Sequence, residues 1–123
     1  MNLTTILMVI CILEGNPSGE PRDHNTTFGE FCISRSVIRD YNKRYHTHVT
    51  PEMVLDNGDL SEQVALDQLL WLQKKLGLQA TPRTVAAAWN AGLRGYRLGR
   101  GREYGSRAEA LYLEMSTSKV GSP

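Results

Sequence analysis

Apolar positions open the chain as an almost unbroken run from Leu3 to Leu13, which predicts a helix over residues 3 to 14. Apolar nearly all round, it is expected to be buried on every side rather than to carry one solvated face. Gly15, Pro17, Gly19 and Pro21 then interrupt regular structure at short intervals, so residues 15 to 28 are expected to form a loop or small hairpin. An amphipathic pattern from Ser34 to Arg44 points Val37, Ile38 and Tyr41 inward. Thr50-Pro51 combines a cap with a proline at the first helical position and opens a short helix that ends at Asn57-Gly58. Asp59, with Glu62 three residues on, reads as the capping box of the clearest helix, whose stripe is Ala65, Leu69, Leu72 and Leu76 and which Gly77 closes.

Thr81-Pro82 repeats the cap-and-proline signal and starts a helix through Ala86, Ala87 and Ala88 to Trp89, small residues that allow close packing against a neighbour. Residues 93 to 105 are rich in Gly and Arg and read as a flexible loop. Ser106 and Glu109 read as a further capping box, opening a last helix with Leu111 and Met115 inward. Residues 116 to 123 read as a flexible C-terminal tail. Strand signals are nearly absent, so the expected class is mostly α: one domain over residues 1 to 115, with about five to six helices and an irregular loop or small hairpin after the first.

The totals agree with that scale. A chain of 123 residues can bury one core but not two, and its 41% apolar content is that of an ordinary globular protein. The opening run invites a signal-peptide reading. No Lys or Arg precedes it and no small-x-small site follows before Glu14, so a buried first helix is expected instead, and the run is too short to span a bilayer. Two cysteines, Cys11 and Cys32, form no zinc pattern and read as small buried apolar residues. His46-Thr47-His48 has no acidic or thiol partner at ligand spacing, so neither a metal nor a cofactor is expected. Sequons stand at Asn2 and Asn25.

Glu14 is the chemically unusual residue. A carboxylate ending so apolar a run is poorly placed for an ordinary surface charge. Where its neighbours bury it, desolvation favours the protonated form, and a proton-bearing carboxyl is what a glycosidic oxygen needs as general acid. The competing reading is a glutamate that turns into the loop.

The residues around Glu14 resemble a family. Glu14-Gly15-Asn16-Pro17 is similar to the Glu-Ser-x-x-Asn-Pro signature of lytic transglycosylases and related lysozyme-like enzymes, goose-type lysozymes included. Phe28-Gly29-Glu30-Phe31-Cys32-Ile33 sits where that family carries Gly-Leu-Met-Gln-Ile, and Trp89-Asn90-Ala91-Gly92 resembles its Tyr-Asn-Ala-Gly element. The order and separations of these elements resemble the family from about Thr5 to Leu113. There are departures: the serine after the glutamate is missing, Cys32 replaces a substrate-contacting glutamine, and Glu30 replaces an apolar residue.

The resemblance implies a lysozyme-like domain that cleaves the β-1,4 bond between N-acetylmuramic acid and N-acetylglucosamine, with Glu14 as acid and then base. It implies Phe31, Cys32, Trp89, Asn90, Tyr96 and Tyr104 as substrate contacts. The base step acts either on the sugar's own hydroxyl or on water; for the latter, Glu20, Asp23 and Glu30 are the candidate second carboxylates. It also brings Cys11 and Cys32 near one another, where they would pair in an oxidising compartment or remain two unlinked thiols.

Two other readings compete. Arg94, Arg97, Arg100 and Arg102, interleaved with glycines and with Tyr96 and Tyr104, have the composition of a nucleic-acid-binding segment. A net charge of +1 and no basic face elsewhere disfavour nucleic acid as the partner. A catalytically weakened glycan-binding domain is the third. The expected partner is peptidoglycan or a related N-acetylhexosamine glycan, engaged by a monomer at the cell wall or outside the cytoplasm.

Overall fold

The computed structural model describes residues 1–16, 19–22 and 27–120. It is mostly helical, with six α-helices and one two-stranded sheet among the described residues. In chain order these are α1 (Leu3–Glu14), β1 (Thr27–Phe28), β2 (Ile33–Ser34), α2 (Arg35–Tyr45), α3 (Pro51–Asp56), α4 (Gly58–Leu76), a 3₁₀ turn (Gly77–Gln79), α5 (Pro82–Arg97) and α6 (Arg102–Val120). No helix among the described residues is long and apolar enough to cross a membrane. Asp23, the sequon at Asn25 and the end of the expected tail, residues 121–123, lie outside the described residues.

The chain divides into two compact units, one of Met1–Ile10 with Leu69–Pro123 and the other of Cys11–Gln68. In the first, α5 begins at Thr81, whose hydroxyl accepts from Thr84 N while the Thr84 hydroxyl accepts from Thr81 N. Such reciprocal capping satisfies two donors that the helix start leaves without partners. Val85, Ala86, Ala87 and Ala88 are buried on α5. Helix α6 runs antiparallel to it at very short range. A Cβ built on Gly101 would stand 2.5 Å from the Ala87 carbonyl oxygen, and one on Gly105 would stand 2.5 Å from that of Arg83. Arg83 and Glu109 close the hairpin further along with an ion pair of 2.9 Å.

This hairpin corrects the expected flexible loop over residues 93 to 105. Helix α5 continues to Arg97 across a break at Gly92 (φ 77°, ψ 158°), and α6 already begins at Arg102. The connecting turn is closed by backbone bonds from Leu98 N to Arg94 O and from Arg100 N to Gly95 O. Glycines that read locally as breakers are here the places where two helix backbones meet, since any side chain at Gly101 or Gly105 would strike the facing main chain. Because α6 starts at Arg102, Ser106 lies inside it rather than at its cap; the helix also passes Ser116 to reach Val120, where the sequence pattern places a flexible tail.

In the second unit, β1 and β2 form an antiparallel hairpin, with Thr27 opposite Ser34 and Phe28 opposite Ile33. Ser34 ends β2 and also caps α2, accepting from Val37 N at 3.2 Å. Ile38 and Tyr41 face the core as the spacing predicts. Arg44 donates to Asp67 at 2.6 Å, the Tyr45 hydroxyl donates to the same carboxylate, and Gln63 donates to the Tyr41 hydroxyl at 2.7 Å. These bonds tie α2 to the first half of α4. The cap of α4 is Asn57, whose Oδ1 accepts from Leu60 N at 3.1 Å, rather than Asp59. The stripe of Ala65, Leu69, Leu72 and Leu76 is buried along its length.

Helix α1 departs from expectation on one side. Ile6, Leu7, Val9 and Ile10 are buried, but Met8 is 49% and Ile12 57% exposed, one turn apart on the same edge. The helix therefore has an open apolar edge, which an uninterrupted hydrophobic run cannot reveal because it contains no polar positions to mark a face.

Candidate functional site: the end of the first helix

Helix α1 ends at Glu14, and Gly15 follows at φ 57°, the left-handed position that commonly terminates a helix. The last turn of α1 holds no basic residue. A carboxylate there faces the negative end of the helix dipole, an unfavourable place for a charge. Arg22 supplies the compensation from the following loop. Its guanidinium donates to the Glu14 carbonyl at 3.1 Å and to the Gly15 carbonyl at 3.0 Å. The Glu14 side chain is half-buried.

Asn16 organises the segment behind it. It is only 2% exposed, and its Nδ2 donates to the carbonyls of Glu20 at 2.9 Å and Gly29 at 3.0 Å. One buried amide thus joins the helix end to the β-hairpin, supported by backbone bonds from Gly19 N to Asn16 O and from Gly29 N to Gly19 O. Gly29 itself sits at φ 80°, a conformation that favours glycine, and a Cβ there would stand only 3.1 Å from the Ser61 hydroxyl.

The hairpin loop, residues 29 to 32, delivers Cys32 to Glu14. Cys32 adopts φ 51°, a conformation rare for a residue with a Cβ, and its N–H donates to Gly29 O at 3.1 Å. Its thiol lies 3.8 Å from Asn16 Nδ2 and within reach of the Glu14 charge. Burial pushes this thiol's pKa up, the Glu14 charge adds to the effect, and the Asn16 amide and Arg22 charge oppose it. Cys11, one turn before Glu14, has its own carboxylate. Its Sγ lies 3.8 Å from Glu30 Oε2, and burial followed by the Glu30 charge raises its pKa too. Both cysteines are free thiols.

No family model, curated protein or solved structure matches this chain. Its site is therefore described by its own geometry.

Among the residues that sequence reasoning selects, Glu14 and Cys32 come together in one unit, and Glu30 stands in the same hairpin loop facing Cys11. Phe31 is 6% exposed, so its ring is a core residue rather than a surface on which a glycan could stack. Its place in the loop, between Glu30 and Cys32, turns it inward while they remain half-buried. Glu20 is exposed and contributes its backbone carbonyl to Asn16. In the other unit, Trp89 and Asn90 lie on α5 before the Gly92 break, the first half-buried and the second exposed, while Tyr96 and Tyr104 are half-buried on α5 and α6. Among the described residues, no group of three His, Cys, Asp or Glu could hold a metal ion. The sequence pattern gives Arg22 no role and marks Asn16 only as part of a motif. Both act through backbone carbonyls of a loop, and no periodicity or spacing announces such bonds.

Proposed function

We propose that this chain is a lysozyme-like glycosidase that cleaves the β-1,4 bond between N-acetylmuramic acid and N-acetylglucosamine in peptidoglycan, with Glu14 as its acid. The observation that carries the reading is the placement of Glu14. It is a half-buried carboxylate at the dipole-disfavoured end of α1, with Arg22 tying down the main-chain carbonyls of Glu14 and Gly15 beneath it and the Cys32 thiol within reach of its charge. A helix end whose backbone is fixed by a loop arginine presents its carboxyl in one place, as a group that must hold and release a proton requires. The resemblance of the segments at residues 14–17, 28–33 and 89–92 to lytic transglycosylases supplies the substrate class.

In this reading Glu14 protonates the glycosidic oxygen as the bond to the muramic acid C1 breaks. Its carboxylate then takes a proton either from the sugar's own hydroxyl, which closes an anhydro ring, or from water, which gives a reducing end. Trp89, Asn90, Tyr96 and Tyr104 are the substrate contacts that the resemblance assigns, an aromatic ring stacking on a sugar face and an amide bonding an N-acetyl group. Glu14→Gln removes the acidic proton while preserving shape, so a suspension of purified sacculi should clear with the wild type and stay turbid with the variant. Equal clearing by both proteins would remove Glu14 from the chemistry.

A further inference from the structure

The charge of this chain is concentrated in one place. Residues 94 to 107 contain five of its fourteen basic residues, Arg94, Arg97, Arg100, Arg102 and Arg107, and one of its thirteen acids, Glu103. That stretch carries a formal +4, which leaves −3 on the remainder of a chain whose total is +1. All five arginines are exposed, and none takes part in an ion pair among the described residues. They stand on the last turns of α5, the connecting turn and the first turns of α6.

The backbone of the mounting is well tied: Gly101 and Gly105 bring α6 against the main chain of α5, the turn is hydrogen-bonded across Arg94 to Arg100, the stem of Arg100 lies beside Gly95, and the guanidinium of Arg102 lies beside Gly99. Arg94 and Arg97 suit the C-terminal end of α5, where a cation complements the dipole. Arg102 opens α6, where the dipole repels a cation, so helix stability does not account for it. A cluster of exposed guanidinium forks, carried on a hydrogen-bonded backbone in an otherwise acidic chain, is matched to planar anions presented in series.

We propose that this hairpin end is a docking surface for the carboxylate-bearing peptides of a peptidoglycan strand. It would hold the polymer near the protein independently of bond cleavage. The assignment of this polymer, among polyanions, rests on the proposed function; the docking surface rests on the arginine cluster. An anionic strand gains from several exposed guanidinium groups at once, and the attraction weakens as salt shortens the Debye length from about 10 Å at 0.1 M to about 3 Å at 1 M.

The test is co-sedimentation of the full chain with insoluble purified sacculi. It is carried out with Glu14→Gln so that the polymer survives, and repeated with Arg94, Arg97 and Arg102 changed together to Gln and, separately, to Lys. The expected result is about a tenfold loss of bound protein in the Gln variant, a smaller loss in the Lys variant, which keeps the charge without the fork, and release of the parent by 1 M salt. Thermal unfolding of each variant establishes that the hairpin is intact, and single Arg97→Gln and Arg94→Gln variants should each give a smaller loss if the triple variant does not fold. Undiminished binding by the folded Gln variants overturns the proposal. So does arginine-dependent binding of a single-stranded DNA oligonucleotide with none to sacculi, which would assign the surface to nucleic acid. Arginine-dependent binding to sacculi that the wild type never cleaves would keep the docking surface and remove the glycosidase. Cleavage with arginine-independent binding would do the reverse.

Discussion

The thiol of Cys32 lies in the field of the Glu14 carboxylate, whose charge adds to burial in raising the thiol's pKa, and the backbone of Cys32 is held in the left-handed region. Arg22 and Asn16 bear on the same pair, the first as a nearby positive charge and the second as an amide 3.8 Å from the sulfur. The site is thus a small polar assembly at a helix end, built from a loop and a hairpin.

Cys32 should be slow to alkylate near neutral pH, because burial and then the Glu14 charge hold its pKa up. Glu14→Gln removes the charge, so at pH 8 the labelling rate of Cys32 should rise severalfold while that of Cys11 stays unchanged. Glu30→Gln should accelerate Cys11 alone, since its thiol contacts that carboxylate. Rates followed by peptide mass spectrometry distinguish these outcomes; a Glu14→Gln effect on Cys11 and not on Cys32 would reverse the pairing.

The same shifts give the fold a pH dependence. Each thiol's pKa is higher folded than unfolded, so the stability this contributes is fully present below the unfolded value of about 8.5 and is lost as pH rises through the folded value. Chemical denaturation should show lower stability at pH 10 than at pH 7.5. The difference should shrink when both cysteines are replaced by alanine. An unchanged difference would place the alkaline sensitivity in other groups.

Asn16→Ala would strip the carbonyls of Glu20 and Gly29 of their shared donor inside the protein. Losing these two bonds, one of them buried, costs on the order of 2 kcal/mol, measurable as a shift in the urea midpoint. Asn16→Asp should cost more, because a carboxylate would face two carbonyl oxygens. A neutral Asn16→Asp would contradict the role given to this amide.

Glycine substitutions should divide according to contact. Gly105→Ala brings a Cβ to 2.5 Å from the Arg83 carbonyl and should destabilise by about 1–3 kcal/mol. Gly58→Ala, with nothing within 4 Å of the new Cβ, should be neutral or gain up to about 1 kcal/mol from helix propensity and reduced unfolded-state entropy. Equal effects at the two positions in denaturant unfolding would refute the close approach of α6 to α5.

Much of the helical framework was legible in the pattern of residues. The stripe of Ala65, Leu69, Leu72 and Leu76, the Thr50-Pro51 and Thr81-Pro82 starts, and the ends near Gly15 and Gly77 all follow from local chemistry. The α5–α6 hairpin was not legible, because Gly101 and Gly105 look like breakers until the facing carbonyls of Ala87 and Arg83 are known. Asp59 and Asn57 both offer a capping oxygen two residues apart, and the choice between them was settled only by where α3 stops. At the site, Glu14 stood out as a carboxylate ending an apolar run, whereas the work of Arg22 and Asn16 depends on loop carbonyls that leave no trace in spacing.

Digestion of purified peptidoglycan by the wild type and Glu14→Gln, with the soluble products weighed by mass spectrometry, tests the central claim most directly. The expected result is muropeptide release by the wild type and none by the variant, with anhydro ends marking a transglycosylase and reducing ends a hydrolase. Release at the wild-type rate by Glu14→Gln, or no release by either protein, would contradict it.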